Sequence, residues 1–324
     1  MPRLIARRLL HLVPVLLGVS LLTFLLIHFA PGDYLGTLAM DPAVSRETLA
    51  AMRQRFGLDQ PLWVQYGAYL KNVFLHLDFG YSFSRRQPVF DILGESLGNT
   101  LILSLAAALL TWLLAIPLGV LSALKRHTWV DRLASGVTFL GLSIPEVFLA
   151  LLLMLLAWRT GWFPVNGMRS LDYPDLSWWG KMLDVGHHLA LPALVLATVP
   201  LASRTRQMRA NLLDVLRADY ITTARAKGVP ESGVVYRHAL RNAINPLITL
   251  FGYTLGGLLS GAFLVENVMG WPGLGRVTME AFNSRDLYLI MGSVLLASLV
   301  LVMGNLVADV LLALSDPRIR HEQG

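Results

Sequence analysis

"LILSLAAALLTWLLAIPLGVLSAL", from Leu101 to Leu124, runs 24 residues without a charge. About 20 helical residues cross the roughly 30 Å hydrocarbon core of a bilayer, so this stretch reads as a membrane span. Backbone polar groups in lipid must be paired within the segment, which makes the span a helix. Outward from it, apolar runs fall at 9–30, 98–124, 133–158, 187–208, 246–268 and 287–314. The expected fold is an all-α membrane protein with six transmembrane helices, kinked at prolines such as Pro117, Pro145, Pro192 and Pro200. Composition agrees. Charged residues make up 15% of the chain and mean hydropathy is +0.56, whereas soluble domains carry about 25% charged residues. With no cysteine, disulfides and thiolate metal sites are excluded.

The ends of the spans carry the charge. Arg3, Arg7 and Arg8 precede the first run, which is longer than a secretory signal and lacks a small-x-small cleavage site; it is read as uncleaved. Placing the N-terminus inside puts 1–8, 125–132, 209–245 and 315–324 in the cytoplasm. With Arg204 and Arg206 included, that side then holds sixteen of the 27 Lys and Arg against six acids. The asymmetry follows the preference of basic residues for inner loops and gives N-in, C-in. It also explains a pI near 9.8 without nucleic acid; the partner implied is the lipid bilayer.

Residues 31–97 form an outer helical loop. "SRETLAAMRQRFGL" begins with Ser45 as a helix cap and ends at Gly57. "PLWVQYGAYLKNVFLHL" follows as an amphipathic helix with Trp63, Tyr66, Tyr69, Leu70, Phe74 and Leu77 on an apolar side. The expected organisation is a tail and first span (1–30), this loop (31–97), a five-helix core (98–314) and a tail (315–324).

Catalytic motifs are scarce. No G-x-x-x-x-G-K-[ST] loop occurs, so the chain has no recognisable phosphate cradle for ATP. No H-E-x-x-H occurs either, and no metal site is expected. Ionisable residues within spans are candidates for a translocation path: Glu146 after the "LSIP" kink, Glu266 at the outer end of the fifth span, and Asn305 with Asp309, four apart on the sixth. The alternative for each is interhelical hydrogen bonding or an interfacial position. "NVMGWPGLGRV" holds Trp271, Pro272 and Gly273 and is loop-forming. It suits a gate or re-entrant loop, or a plain hairpin with the indole at the interface.

Between the fourth and fifth runs the chain interrupts itself with "ITTARAKGVPESGVVYRHALRNAINP", Ile221–Pro246. Leu212, Leu213, Leu216, Tyr220 and Ala224 recur at helical steps, which predicts one amphipathic cytoplasmic helix. Gly228-Val229-Pro230 forces a turn, and a second short helix is expected to end before Pro246. A polar protrusion fixed to two spans can pass motion from a soluble partner to the membrane helices; the plainer alternative is a loop that only sets topology.

This insert resembles the cytoplasmic coupling loop of ABC importer permeases, whose pattern is E-A-A, three residues, Gly, nine residues, I-x-L-P. Thr222-Thr223-Ala224 lie at E-A-A, Gly228 at the glycine and Leu240 at the leucine, with His238 and Arg241 departing from the pattern. "FGLDQPLWVQYGAYL", "LDFGYSF", "LSIPEVFLALLL", "VENVMGWPGLG" and "DPRIR" are similar to the dipeptide/oligopeptide/nickel subfamily. The resemblance implies a permease subunit in the inner membrane of a bacterial or archaeal cell, working by alternating access on peptides or similar solutes. Implied partners are a second homologous permease, two ATPase subunits that hold ATP and Mg, and an extracytoplasmic solute-binding protein. The chain itself would be no enzyme and bind no cofactor. Docking to the ATPase would fall on Asp219, Thr222, Thr223, Ala224, Lys227, Gly228, Val229 and Leu240. Asp219, one turn earlier, is the candidate substitute for the acid that Thr222 replaces, and the Gly228 turn and the apolar helix faces are expected to carry more of the docking than a salt bridge at Thr222. Two other readings of the residues are a stand-alone secondary transporter, with ion coupling at Glu146, Glu266 or Asp309, and a membrane scaffold or receptor.

Overall fold

The computed structural model describes residues 2–30, 35–36, 39, 45–55 and 57–315; the "DPRIR" motif lies outside them. The order is α1 (Pro2–Phe29), α2 (Arg46–Arg55), α3 (Leu62–His76), a hairpin of β1 (Tyr81–Ser82) and β2 (Gln87–Pro88), then α4 (Val89–Leu124), α5 (Trp129–Ser143) and α6 (Glu146–Thr160). There follow α7 (Trp178–Leu216), α8 (Asp219–Ala226), a helical turn at Glu231–Gly233 with a π-helical stretch Val234–Ala239, α9 (Leu240–Val268), α10 (Leu274–Ser284) and α11 (Leu287–Ser315).

Among the described residues, four helices are long and apolar enough to cross a membrane: α1 over Leu10–Phe29, α4, α7, and α11 over Leu287–Val307. α5 and α6 make a fifth if taken together, but they meet at 106°. The predicted third span, 133–158, is therefore broken rather than kinked. Pro145 disfavours helical backbone in the residue before it, and Ile144 is extended at φ −86°, ψ 123°. α9 covers the fifth predicted run and has 29 residues.

Two further expectations are corrected. The helix predicted through Leu212 and Ala224 is two helices, because α7 stops at Leu216 and Ala218 is extended before α8. The second short helix does not end before Pro246; backbone stays helical from Glu231 through the π-helical stretch into α9, with Pro246 inside it.

The chain divides into two compact units. One contains residues 101–271 and the end of α11. Its first core gathers Leu103, Ala107, Leu196, Leu258, Val265 and Trp271, and its second gathers Val120, Met208, Leu212, Ile221, Ala243 and Leu247. α4 and α7 approach so closely that a Cβ on Gly119 would lie 2.6 Å from Met208 Cβ and 2.8 Å from the Thr205 carbonyl. At one end, the Asp131 carboxylate takes two 2.8 Å bonds from Arg209 and one from the Ser122 hydroxyl, joining α4, α5 and α7.

The other unit contains residues 6–100 and 272–302. Ser45 caps α2 by accepting from Thr48 N–H at 3.1 Å, as expected. α3 packs Tyr69 and Val73 inward with Tyr66 and Leu70, whereas Trp63, Phe74 and Leu77 are exposed; its apolar side is thus split between two faces. Asp286 is buried and accepts from Ser82 Oγ (2.7 Å), Ser84 N–H (2.9 Å) and Ser84 Oγ (2.9 Å). It thereby fastens the β-hairpin to the start of α11.

Candidate functional site

The interrupting segment is seated on the ends of α7 and α9. α8 turns Ile221 and Ala224, three residues apart, into a core with Val120, Met208, Leu212 and Ala243. At its end the Gly228 N–H donates to Arg225 O (3.0 Å) and the Val229 N–H to Ala224 O (3.2 Å). These two bonds make a Schellman cap, whose residue after the cap is left-handed and usually glycine; Gly228 has φ +77°. Val229 packs against the same core as Ala224, the apolar contact that accompanies such caps. Outside the turn, Arg225 donates to Glu231 at 2.7 and 3.1 Å and holds that carboxyl below its usual range. Asn211 Nδ2 reaches Ala243 O at 3.1 Å, and Asn242 Nδ2 reaches the Tyr220 hydroxyl at 2.9 Å. α7, α8 and α9 are thus tied into one body.

The expected docking residues divide by exposure. Asp219, Thr222, Thr223, Lys227 and Gly228 are exposed, Val229 and Leu240 are half-buried, and Ala224 is buried. The polar side of α8 faces outward, and its apolar side serves the chain's own core.

On the same three-helix body lies an open cavity of about 330 Å³. Glu146 from α6, Pro200, Ser203 and Arg204 from α7, and Thr254 and Gly257 from α9 line it, with Leu196 and Leu258 among the apolar walls. Arg204 Nε donates to Thr254 Oγ1 at 3.3 Å. Pro145 immediately precedes Glu146 at the start of α6, and Pro200 lies on the cavity wall.

The other path candidates lie elsewhere. Trp271 was expected at an interface or gate; it is 0% exposed and sits in the first core. Gly270, at φ +68°, turns the chain just after α9, and the buried indole gives that core a large apolar surface. Pro272 O accepts from Asn99 Nδ2 at 2.9 Å. The Leu274 N–H, just past Gly273, donates to Thr100 Oγ1 at 2.8 Å. The segment thus leads into a separate amphipathic helix, α10, in place of a plain hairpin. Leu274, Val277, Thr278 and Ala281 form the buried stripe of α10. Glu266 is wholly buried, Asn305 is exposed and Asp309 half-buried. None of these three lines the cavity.

Residues 115–321 match the binding-protein-dependent transport system inner membrane component family, and residues 1–106 match the N-terminal family of the same membrane components. The chain belongs to this family of inner-membrane permeases. It is 41% identical over 319 residues to the oligopeptide transport system permease protein AppB of Bacillus subtilis (strain 168), covering 98% of this chain and 99% of that one. It is 38% identical to the dipeptide transport system permease protein DppB of Escherichia coli (strain K12), with both chains fully covered. Identity is 39% to the glutathione transport system permease protein GsiC of Salmonella typhimurium, over 98% of this chain and 99% of that one.

The protein is thus a multi-pass inner-membrane permease subunit of an ABC importer, a family whose ATPase resides on separate subunits. The sequence placed a turn at Gly228 and singled out Glu146, which lines the cavity, but did not single out Arg204, which counted only as a topological charge. The signal was available: an arginine four residues after a proline inside an apolar run.

Proposed function

We propose that this permease supplies half of a translocation pathway for di- or oligopeptides or similar solutes, alternating access under the control of ATP hydrolysed elsewhere. It has six spans with both ends in the cytoplasm and an extracytoplasmic segment over 31–97. The second half comes from a homologous permease, and a solute-binding protein delivers the cargo from outside. Two ATPase subunits, holding ATP and Mg, grip the exposed side of α8 at Asp219, Thr222, Thr223 and Lys227. The turn at Gly228 and Val229 shapes that grip, and Ala224 and Leu240 seat the segment from behind.

The observation that carries this reading is the Schellman-capped α8, which is hydrogen-bonded to α9 and shares one apolar core with α7 and α9, themselves joined through Asn211. Packed helices move as bodies. Displacement of α8 by a partner therefore reaches α7 and α9, which supply Arg204, Thr254 and Gly257 to the cavity wall. The relatives' names, oligopeptide, dipeptide and glutathione transport permeases, support the solute class. The translocation path uses Glu146, while Glu266, Trp271, Pro272, Gly273, Asn305 and Asp309 shape and hold the surrounding helices.

Because the chain has no cysteine, single cysteines can be placed at Lys227 and Ser232, both exposed. A short thiol crosslinker in membranes of the assembled transporter should join each to an ATPase subunit. Absence of any such product at both positions, with uptake intact, overturns the docking assignment. Uptake by the purified chain driven by an ion gradient without ATP would establish a secondary transporter instead.

A further inference from the structure

Several charged side chains among the described residues are neutralised in pairs. Asp131 has Arg209, Glu231 has Arg225, and Glu280 is held between Arg85 and Arg276. Glu146 and Arg204 break the pattern. They line one cavity, carry opposite charge, and neither has an ion-pair partner among the described residues. Among the described residues Arg204 makes one hydrogen bond, through Nε to Thr254, and the two terminal nitrogens of its fork have no partner there while the residue lines the cavity. Glu146 stands in the first turn of α6, where the helix dipole favours an acid by about 0.3–1 kcal/mol. The dipole accounts for tolerance of the acid and leaves the arginine opposite unexplained.

An ionised side chain within a membrane domain is costly and marks a solute or ion pathway by default. Two opposite charges kept apart over one opening suit a solute that itself carries both signs. A guanidinium fork matches a carboxylate in two-point contact, and a carboxylate takes an ammonium group. The rest of the wall is apolar or hydroxylated, with Leu196, Val199, Leu258, Ser203 and Thr254. Gly257 faces open space, with nothing within 4 Å of an added Cβ, so the wall there is left wide. A volume of about 330 Å³ is at the low end for small-molecule sites, the scale of a short zwitterion.

We infer that this cavity is a zwitterion station in the pathway, in which Arg204 receives the anionic end of the solute and Glu146 the cationic end. The inference rests on the permease reading above and adds the residues that select charge.

The test uses the complete transporter in proteoliposomes, with permease content measured, ATP inside, and three labelled probes: dialanine, N-acetyl-dialanine and dialanine amide. Arg204→Gln should lower uptake of the two carboxylate-bearing probes about tenfold and that of the amide less than twofold. Glu146→Gln should lower uptake of the two ammonium-bearing probes about tenfold and spare the N-acetyl compound. Arg204→Lys, which keeps the charge, should restore much of the carboxylate preference. Equal loss for all three probes in both variants indicates a merely structural role and overturns the inference, as does unchanged uptake of all three. If the wild-type transporter moves none of the probes with ATP, the peptide reading itself fails, and the station falls with it.

Discussion

Gly228 is the residue on which the segment proposed for coupling turns. Its φ of +77° lies in the left-handed region, and nothing stands within 4 Å of an added Cβ. A substitution there meets backbone strain without a clash. For an L-residue that strain costs roughly 1–2 kcal/mol, enough to loosen the bonds from Gly228 and Val229 that close α8. Gly228→Val should therefore lower solute taken up per ATP hydrolysed by several-fold, with Gly228→Asn, better suited to the left-handed region, intermediate. Thr222→Ala touches only an exposed side chain and should change the same ratio little. Equal ratios in all three variants would remove the turn from the coupling path. Parallel measurement of uptake and phosphate release in proteoliposomes decides it.

At the scale of elements, α4 and α7 are held together by the absence of a side chain. Gly119→Leu would drive its side chain into Met208 and the Thr205 carbonyl. The backbones would have to part, at about 3 kcal/mol, near the top of the range for overpacking. Thermal unfolding in detergent should show a clearly lower midpoint for Gly119→Leu than for Gly136→Leu, whose site has nothing within 4 Å. Much at this scale was legible in the sequence. Ser45 announced α2, Gly228-Val229-Pro230 announced the turn, and the apolar runs announced the long helices. What was not legible depends on partners distant in the chain. Pro145 predicts a kink, but a 106° break is set by what α5 and α6 each pack against. α10 was hidden because its buried stripe is short and interleaved with Arg276, Glu280 and Asn283. The seating of Ala224 and the burial of Trp271 follow from cores gathered from several helices, and no local period encodes those.

For the whole molecule, the orientation proposed from charge is open to direct measurement. Single cysteines at Asp59, on the segment after α1, and at Ser232, beyond α8, are on exposed sites. In intact spheroplasts a membrane-impermeant maleimide should label the first and leave the second unlabelled until the membrane is permeabilised. The reverse pattern would invert the topology and overturn the proposed ATPase contact on α8. The path candidates were legible only as a class in the sequence. Glu146 and Glu266 looked alike there, yet one lines an opening and the other is wholly buried, since the facing of a helix end is settled by its neighbours.

The π-helical stretch Val234–Ala239 lies between the coupling turn and α9. A π turn accommodates one residue more than an α turn, while each residue of an α-helix advances the helix by about 100°. The number of residues wound into that stretch consequently sets the angular phase of everything beyond it, Thr254 and Gly257 included. Shortening it by one residue would leave the cap at Gly228 intact and swing a different stripe of α9 toward Arg204. In the proposed cycle the stretch would act as the indexing joint between the part of the chain that is pushed and the part that meets the cargo.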